Sequence, residues 1–397
     1  MIAIIDHYSQ APGEIGNNRF IYIAKMLCDR GYDVEIITTN FSHIRKQTRN
    51  IPKEAFEELP YKYTMLPEPP YKKNISIKRI YSHHVFGKTL KNYLNSRTDI
   101  EAVYISVPSL DVGEAAADYC NRRKIPFFVD IQDIWPEAFE LVLPAKKISK
   151  YVLYPLRKQA RYIYKSATYL VAVSRTYLEV GQKAAPDTQS LCVFLGTDLS
   201  RFDQAKINYT NKKKEEEILL GYVGTLGASY NIDIIINAID MLVKKGYRIK
   251  FKILGDGPEM GRLKKISEGL PVEFMGRLSY DRMVGELCSC DIAVNPIMKG
   301  AAQSIINKHG DYAAAGLPVV STQESKEYRE LIQRYNCGIN CGVDDVKGVS
   351  DAIEELIINK EKRIKMGKNS RKMAEEMFDR STTYSQIIEM IEKGLKS

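Results

Sequence analysis

Long apolar runs are missing from this sequence. None approaches the roughly 20 consecutive apolar residues that a membrane-spanning helix needs. The opening Met-Ile-Ala-Ile-Ile-Asp carries an acid and no basic region, so it reads as neither a span nor a signal peptide, and a cytoplasmic protein is expected. Low-complexity tracts are absent too, and 44% hydrophobic against 27% charged residues is the balance of a globular chain. Cysteine is sparse and odd in number, seven residues from Cys28 to Cys341, which fits reduced thiols better than a disulfide framework. Neither Cys288 with Cys290 nor Cys337 with Cys341 has the spacing or the histidine partners of a zinc site. The net charge of +9 is accompanied by no recognised nucleic-acid module.

Acids are missing from one long stretch. Between Glu140 and Glu179 there is none, while Lys146, Lys147, Lys150, Arg157, Lys158, Arg161, Lys165 and Arg175 all fall there, interleaved with tyrosines. Arg157, Arg161 and Lys165 are four apart, a basic ridge if the segment is helical, and Pro155 suits its first turn. The segment Tyr71 to Arg97 has a similar character. Basic residues among amphipathic rings suit an anionic membrane surface, where each is worth about 1 kcal/mol; two solvated helix faces would read the same way.

What is present, over 397 residues, is too much chain for one hydrophobic core and enough for two. Short β-rich runs alternate with helical patterns, which predicts parallel sheets covered by helices on both faces. The first set is MIAIID, VEIITT, AVYIS, FFVDIQ, YLVAVS and LCVFL; the second is ILLGYVG, FKILG, VEFMG, IAVNP and PVVST. Between them DQAKINYTNKKKEEE is polar and reads as an exposed linker. Ligands of such sheets bind at the carboxyl ends of the strands, so the loops there are the places to search.

After the first strand, DHYSQAPGEIGNNR places Gly13 and Gly16 ahead of a helix, a weak signal for close backbone approach to an anion. In the second half Gly224, Thr225 and Gly227 follow one strand, and Gly276 with Arg277 follows another. Residues 304 to 315 read as one helix, with Ser304 as N-cap and Gly316 as stop, feeding a strand through Pro318. Lys308 and Asp311 share a face of that helix. They supply a cation and a hydroxyl-binding carboxylate, or else a plain salt bridge with each other.

Taken in order, GYVGTLG, FKILGDGPE, VEFMGRLS, CDIAVNPI and DYAAAGLPVVST resemble the donor half of a family 4 glycosyltransferase with the GT-B fold. MIAIIDHYSQAPGEIGNNRF, FFVDIQDIWPE, YLVAVS and VFLGTDLSRF resemble its acceptor half. The branch is that of bacterial polysaccharide enzymes with Asp-x-Trp-Pro-Glu (Asp133 to Glu137) and Asn-Lys-x-x-Asp (Asn307 to Asp311). The resemblance implies two doubly wound Rossmann-like domains facing across a cleft: an acceptor domain over 1–202, joined by a crossover helix at 381–397, and a donor domain over 203–380.

It also implies roles. Gly16, Gly224, Thr225, Gly227, Gly276, Arg277, Gln303, Ser304, Asn307, Lys308 and Asp311 would bind the donor, with Asp311 on the ribose and Lys308 and Arg277 on the diphosphate. Glu14, Asn17, Trp135 and Glu137 would bind the acceptor, and Asp133 would orient or deprotonate it. Relatives have a glutamate where Gln303 stands, an Arg and Lys pair where Thr225 and Tyr230 or Asn231 stand, and a histidine in place of Gln132. A retaining transfer follows, from a UDP-hexose or UDP-N-acetylhexosamine to a saccharide or polyprenyl-diphosphate-linked acceptor, in capsule or O-antigen synthesis at the inner face of the membrane. The absence of any Asp-x-Asp removes one signature of a metal on the diphosphate, so no metal or other cofactor is expected. A sugar-nucleotide 2-epimerase of the same fold and a non-enzymatic two-domain binding protein are the alternatives.

Overall fold

The computed structural model describes residues 1–14, 19–74, 76–137, 151–209, 217–301 and 304–396. The chain divides into two compact units, Met1–Val193 with Tyr384–Ser397, and Phe194–Thr383. The first is built on a seven-stranded parallel sheet. From edge to edge its strands are Lys62–Leu66, Val34–Thr39, Ile2–Ile5, Ala102–Val107, Phe127–Ile131, Tyr169–Ala172 and Gln189–Cys192. Every residue of Ile2–Ile5, Val34–Thr39 and Ala102–Val107 is buried. Burial on both faces is why these runs read as continuous apolar stretches rather than alternating ones. Ile2 pairs with Val34 on one side and Ala102 on the other, so the strand order reverses at Ile2–Ile5. That reversal opens a crevice beyond the carboxyl ends of Ile2–Ile5 and Ala102–Val107.

The second unit has a six-stranded parallel sheet. Its order is Val272–Gly276, Ile249–Leu254, Ile218–Val223, Ile292–Asn295, Val319–Ser321 and Gly338–Asn340. Here the order reverses between Ile218–Val223 and Ile292–Asn295, so the loops beginning at Gly224 and Pro296 flank this unit's switch point. The core is aliphatic: Ile232, Ile235, Ile236 and Ile239 of the helix Ile232–Lys244 pack with Leu220, Phe251 and Ile253. The final helix, Ser385–Leu395, lies in the first unit. There Tyr384, Ile387, Ile388 and Ile391 join a core cluster with Ile23 and Phe128.

Several sequence expectations change. The edge strands Lys62–Leu66 and Gly338–Asn340 are additional. The polar linker begins as a helix instead: Leu199–Tyr209 buries Leu199, Phe202 and Ala205, a stripe at intervals of three, and Asp203 forms a two-pronged pair with Arg371 at 2.6 and 2.7 Å. The helix expected at 304–315 is Asn307–Ala314 with Ile306 as its N-cap. Ser304 does not cap it, because its hydroxyl donates to Glu327 Oε2 at 2.9 Å. His309 takes over part of the capping role, its Nδ1 accepting from the Ile306 N–H at 3.3 Å. Gly316 ends the helix in the left-handed region at φ 70°.

Candidate functional site

In the second unit the site forms around Lys308. Its Nζ is buried without a hydrogen-bond partner among the described residues. It lies 4.2 Å from the Tyr222 ring centroid and 4.0 Å from that of Tyr230. Two aromatic faces stabilise a cation in part, but they satisfy none of its three N–H donors. Burial accordingly holds the Lys308 amine well below the ordinary lysine pKa. No ion pair joins it to Asp311, so the plain salt bridge is excluded in favour of an amine held ready for an anion.

Gly224 sits directly against this amine. A Cβ there would lie 3.2 Å from Lys308 Nζ, and the residue's φ of +138° is a conformation L side chains rarely adopt. The glycine turns also pack backbone against backbone. A Cβ on Gly255 would fall 1.8 Å from the Gly224 carbonyl oxygen, and Gly276 bridges Gly255 in turn. The Gly224 and Leu226 N–H groups are already committed to the Leu254 and Asp256 carbonyls, both at 3.0 Å. Among the described residues Thr225 and Gly227 make no such bond, so their amides are open backbone donors of this loop. Arg277 is exposed on the turn after Gly276. Gln303 lies outside the described residues, and Asn307 is exposed at the start of the lysine helix.

Asp311 is buried in the same helix. Its Oδ1 accepts from Thr197 Oγ1 at 3.2 Å and from the Tyr280 hydroxyl at 3.1 Å, bonds that fix the carboxylate's orientation. Burial outweighs those bonds and lifts its pKa from 3.8 to about 6. The Thr197 and Tyr280 contacts were not read from the sequence, although Thr197 lies in the quoted GTDLSRF.

Of the first unit's candidate residues, Glu14 follows the strand Ile2–Ile5, while Asp133, Trp135 and Glu137 follow the strand Phe127–Ile131. Trp135 donates through Nε1 to Asp133 Oδ2 at 3.2 Å, and the Ile134 N–H reaches Oδ1 at 2.9 Å. Burial raises the Asp133 pKa in spite of both bonds. Trp135 stacks on His83, with centroids 5.9 Å apart and planes 8° from parallel. Glu137 pairs with Arg157 at 3.4 Å, so Arg157 is engaged by an acid and does not continue a ridge of free charge. Glu14 meets Arg49 at 2.9 Å; burial disfavours its charge, but bonds from Ala11 and Arg49 win and lower its pKa. Gly16 and Asn17 lie outside the described residues, as do Lys146, Lys147 and Lys150.

Deeper in the same crevice, His7 Nδ1 lies 2.5 Å from Ser109 Oγ, and His7 Nε2 lies 2.9 Å from Glu68 Oε2. Ser82 donates to the other Glu68 oxygen at 2.5 Å. Burial opposes the Glu68 charge, yet these bonds hold its carboxyl down at about 2. His7, Glu68 and His83 place ligand-type atoms within 4.8 Å of one another, but Arg79 Nε contacts His83 Nε2 at 3.3 Å, and a guanidinium at that nitrogen repels a metal cation.

Residues 203–373 match the family described as Glycosyl transferases group 1. That stretch, less than half of the chain, carries the domain of this family. The chain is 32% identical over 113 residues to a GDP-mannose-dependent alpha-(1-6)-phosphatidylinositol dimannoside mannosyltransferase of Mycobacterium tuberculosis, a match spanning 28% of this chain and 30% of that relative. Structural likeness covers far more. A sucrose-phosphate synthase from Thermosynechococcus elongatus aligns over 99% of this chain and 98% of its own, with TM-score 0.75 and 14% identity. Anabaena HepE in complex with UDP aligns over 99% of each chain with TM-score 0.70 and 16% identity, and WaaG, a glycosyltransferase involved in lipopolysaccharide biosynthesis, over 97% and 98% with TM-score 0.64 and 15% identity. At these identities the likeness carries the fold, two Rossmann-like units of the GT-B class. The parallel sheets and the two switch points agree with it.

Proposed function

We propose that the protein transfers a hexose or N-acetylhexosamine from a UDP-activated donor to a saccharide or polyprenyl-diphosphate-linked acceptor, with retention of anomeric configuration and without a metal, in the synthesis of a bacterial surface polysaccharide such as capsule or O-antigen. The observation that carries the reading is the buried, unpartnered Lys308 amine beside Gly224. It suits a diphosphate, which supplies charge-assisted acceptors for donors that the fold leaves unused. Lys308 and the Thr225 and Gly227 amides would hold the departing diphosphate as its charge grows, and the exposed Arg277 would add to the potential. Stabilising that charge lowers the barrier for leaving-group departure, and the diphosphate oxygen can then take the proton of the incoming hydroxyl on the same face. Asp311, oriented by Thr197 and Tyr280, would bind the ribose hydroxyls. Asp133 would orient the acceptor or accept its proton, and its raised pKa makes it the better base.

The membrane part of the reading is supported by two exposed patches on the first unit. On the helix Ile77–Asn95, Ile77 and Ile80 are 85% and 69% exposed beside Lys73 and Lys78; near the helix Tyr154–Ser166, Tyr151 and Tyr154 are 81% and 66% exposed beside Lys158, Arg161 and Lys165. Exposed apolar groups ringed by cations are the chemistry of an anionic lipid interface. No helix among the described residues is long and apolar enough to cross a membrane, so contact would be peripheral.

Incubation with UDP-sugars and lipid-linked saccharides, with chelator present, tests the proposal. A lengthened acceptor whose new linkage keeps the donor's anomeric configuration is expected. Release of a 2-epimeric UDP-sugar would establish an epimerase instead, and UDP binding without turnover of any donor a binding protein.

A further inference from the structure

The acceptor-side crevice holds two cations that form no ion pair with an acid among the described residues. Arg79 donates through Nε to His83, through Nη1 to the Asn74 carbonyl at 2.8 Å and through Nη2 to the Tyr8 hydroxyl at 3.0 Å. Its guanidinium lies 4.9 Å from the Trp135 ring centroid and 5.9 Å from that of Tyr71. Lys46 bonds the Asn74 side chain and His43 Nδ1, and lies 4.8 Å from the same Tyr71 centroid. None of these partners is negatively charged. The two carboxylates closest to hand are spent: Glu68 on His7 and Ser82, Asp133 on Ile134 and Trp135.

Like charges held around one tyrosine ring, with no ion-paired acid among the described residues and only the more distant pull of Asp133 on Arg79, repel in a half-buried setting. The fold nonetheless keeps Lys46 in place with a left-handed φ of 57°, a strained conformation for a lysine. Burial with Lys46 and Arg79 pushes His43 down to about 4, and burial with His7 and Arg79 pushes His83 to about 2, so neither imidazole adds charge at neutral pH and both stay available as neutral hydrogen-bonding groups. A pre-ordered guanidinium and ammonium with no acid between them match an anion: the first as a fork, the second as a point charge.

We infer that the acceptor carries an anionic group, a carboxylate or a phosphate, which binds to Arg79 and Lys46 beside the Trp135 and Tyr71 rings. This rests on the acceptor role proposed above for the first unit and narrows it to acidic acceptors. Uncharged saccharides lack the group that offsets the repulsion between the two cations, and are poor ligands.

The test titrates full-length protein, saturated with UDP, with methyl glucuronide, glucose 1-phosphate and neutral methyl glucoside, following the ring resonances of His43 and His83 in histidine-labelled protein. At least one charged probe is expected to bind about tenfold or more tightly than the glucoside and to shift both histidines; the tighter of the two names the group. Arg79→Met and Lys46→Met should each weaken that probe about tenfold, Arg79→Lys should recover part of the loss, and UDP affinity, which reports that the chain is folded, should not change. Equal binding of charged and neutral probes, or charged-probe affinity untouched in both methionine variants, would overturn the inference while leaving the donor reading intact. Failure of UDP to bind the wild type would instead overturn the donor reading.

Discussion

Replacing Lys308 with methionine separates what the amine costs the fold from what it does for a ligand. In the unliganded protein Nζ is buried with no hydrogen-bond partner, faced by the rings of Tyr222 and Tyr230 at 4.2 and 4.0 Å. A buried unsatisfied polar group costs about 1–3 kcal/mol, and the ring contacts return about 0.5–2 kcal/mol of that. Methionine keeps most of the apolar stem and removes the stranded amine. The balance of these terms places the variant between about 1 kcal/mol less and about 2.5 kcal/mol more stable than the wild type, with stabilisation over most of that range, at about 2–4 °C in melting temperature for each kcal/mol. Its ligand affinity should move the other way. Loss of a charge-assisted bond worth about 1.5–3 kcal/mol weakens UDP binding by roughly 10- to 150-fold. The pH dependence follows from the same burial. Between the depressed folded pKa and the ordinary 10.5 the unfolded chain binds more protons than the folded one, so this lysine's contribution to stability becomes less unfavourable as pH rises through that window, a slope the methionine variant lacks. Calorimetric titration with UDP and thermal unfolding across pH read all three quantities. Unchanged UDP affinity would refute the site, and a loss of stability without ligand well beyond about 1 kcal/mol would refute the claim that the amine is unpaired.

Further expectations follow from the neighbouring groups. Asp311 binds protons more tightly folded than unfolded between 3.8 and about 6, so its contribution turns against the fold by about 3 kcal/mol as pH rises through that range; Asp311→Asn should remove this loss, raise the melting temperature at pH 7 and weaken uridine binding, and an unaltered stability profile would count against the buried carboxyl. Gly224→Ala forces a side chain into a φ of +138° and toward Lys308 Nζ, and should weaken UDP binding at least tenfold with the fold retained; a neutral outcome would show that the loop does not approach the ligand. Changing Arg157, Arg161 and Lys165 together to Glu should abolish sedimentation with anionic liposomes at low salt while transfer to a soluble acceptor continues, most of the effect coming from the exposed Arg161 and Lys165. Undiminished sedimentation would leave those helix faces merely solvated.

Much of this was legible in the sequence because the relevant signals are local. Buried parallel strands announce themselves as Val- and Ile-rich runs, and Lys308 and Asp311 share a helix. What the sequence hid was set by partners far apart along the chain. Lys62–Leu66 is an edge strand hemmed in by Pro60 and Pro67, and those prolines mask its pattern. The Leu199–Tyr209 helix carries enough polar surface to pass for linker, and only the three-residue spacing of Leu199, Phe202 and Ala205 betrays it. Nothing in the sequence signals that Gly255 is fixed by a neighbouring turn, where its backbone meets that of Gly224. Three of the five histidines gather at the carboxyl edge of one sheet, next to Arg79 and Lys46. No spacing rule brings them together; the strand order does.

The most direct test is a crystal structure of the protein with UDP. The account predicts the diphosphate within hydrogen-bonding distance of Lys308 Nζ, against Gly224 and the Thr225 and Gly227 amides, with the ribose on Asp311. A diphosphate bound elsewhere, with the amine still sealed between Tyr222 and Tyr230, would contradict it.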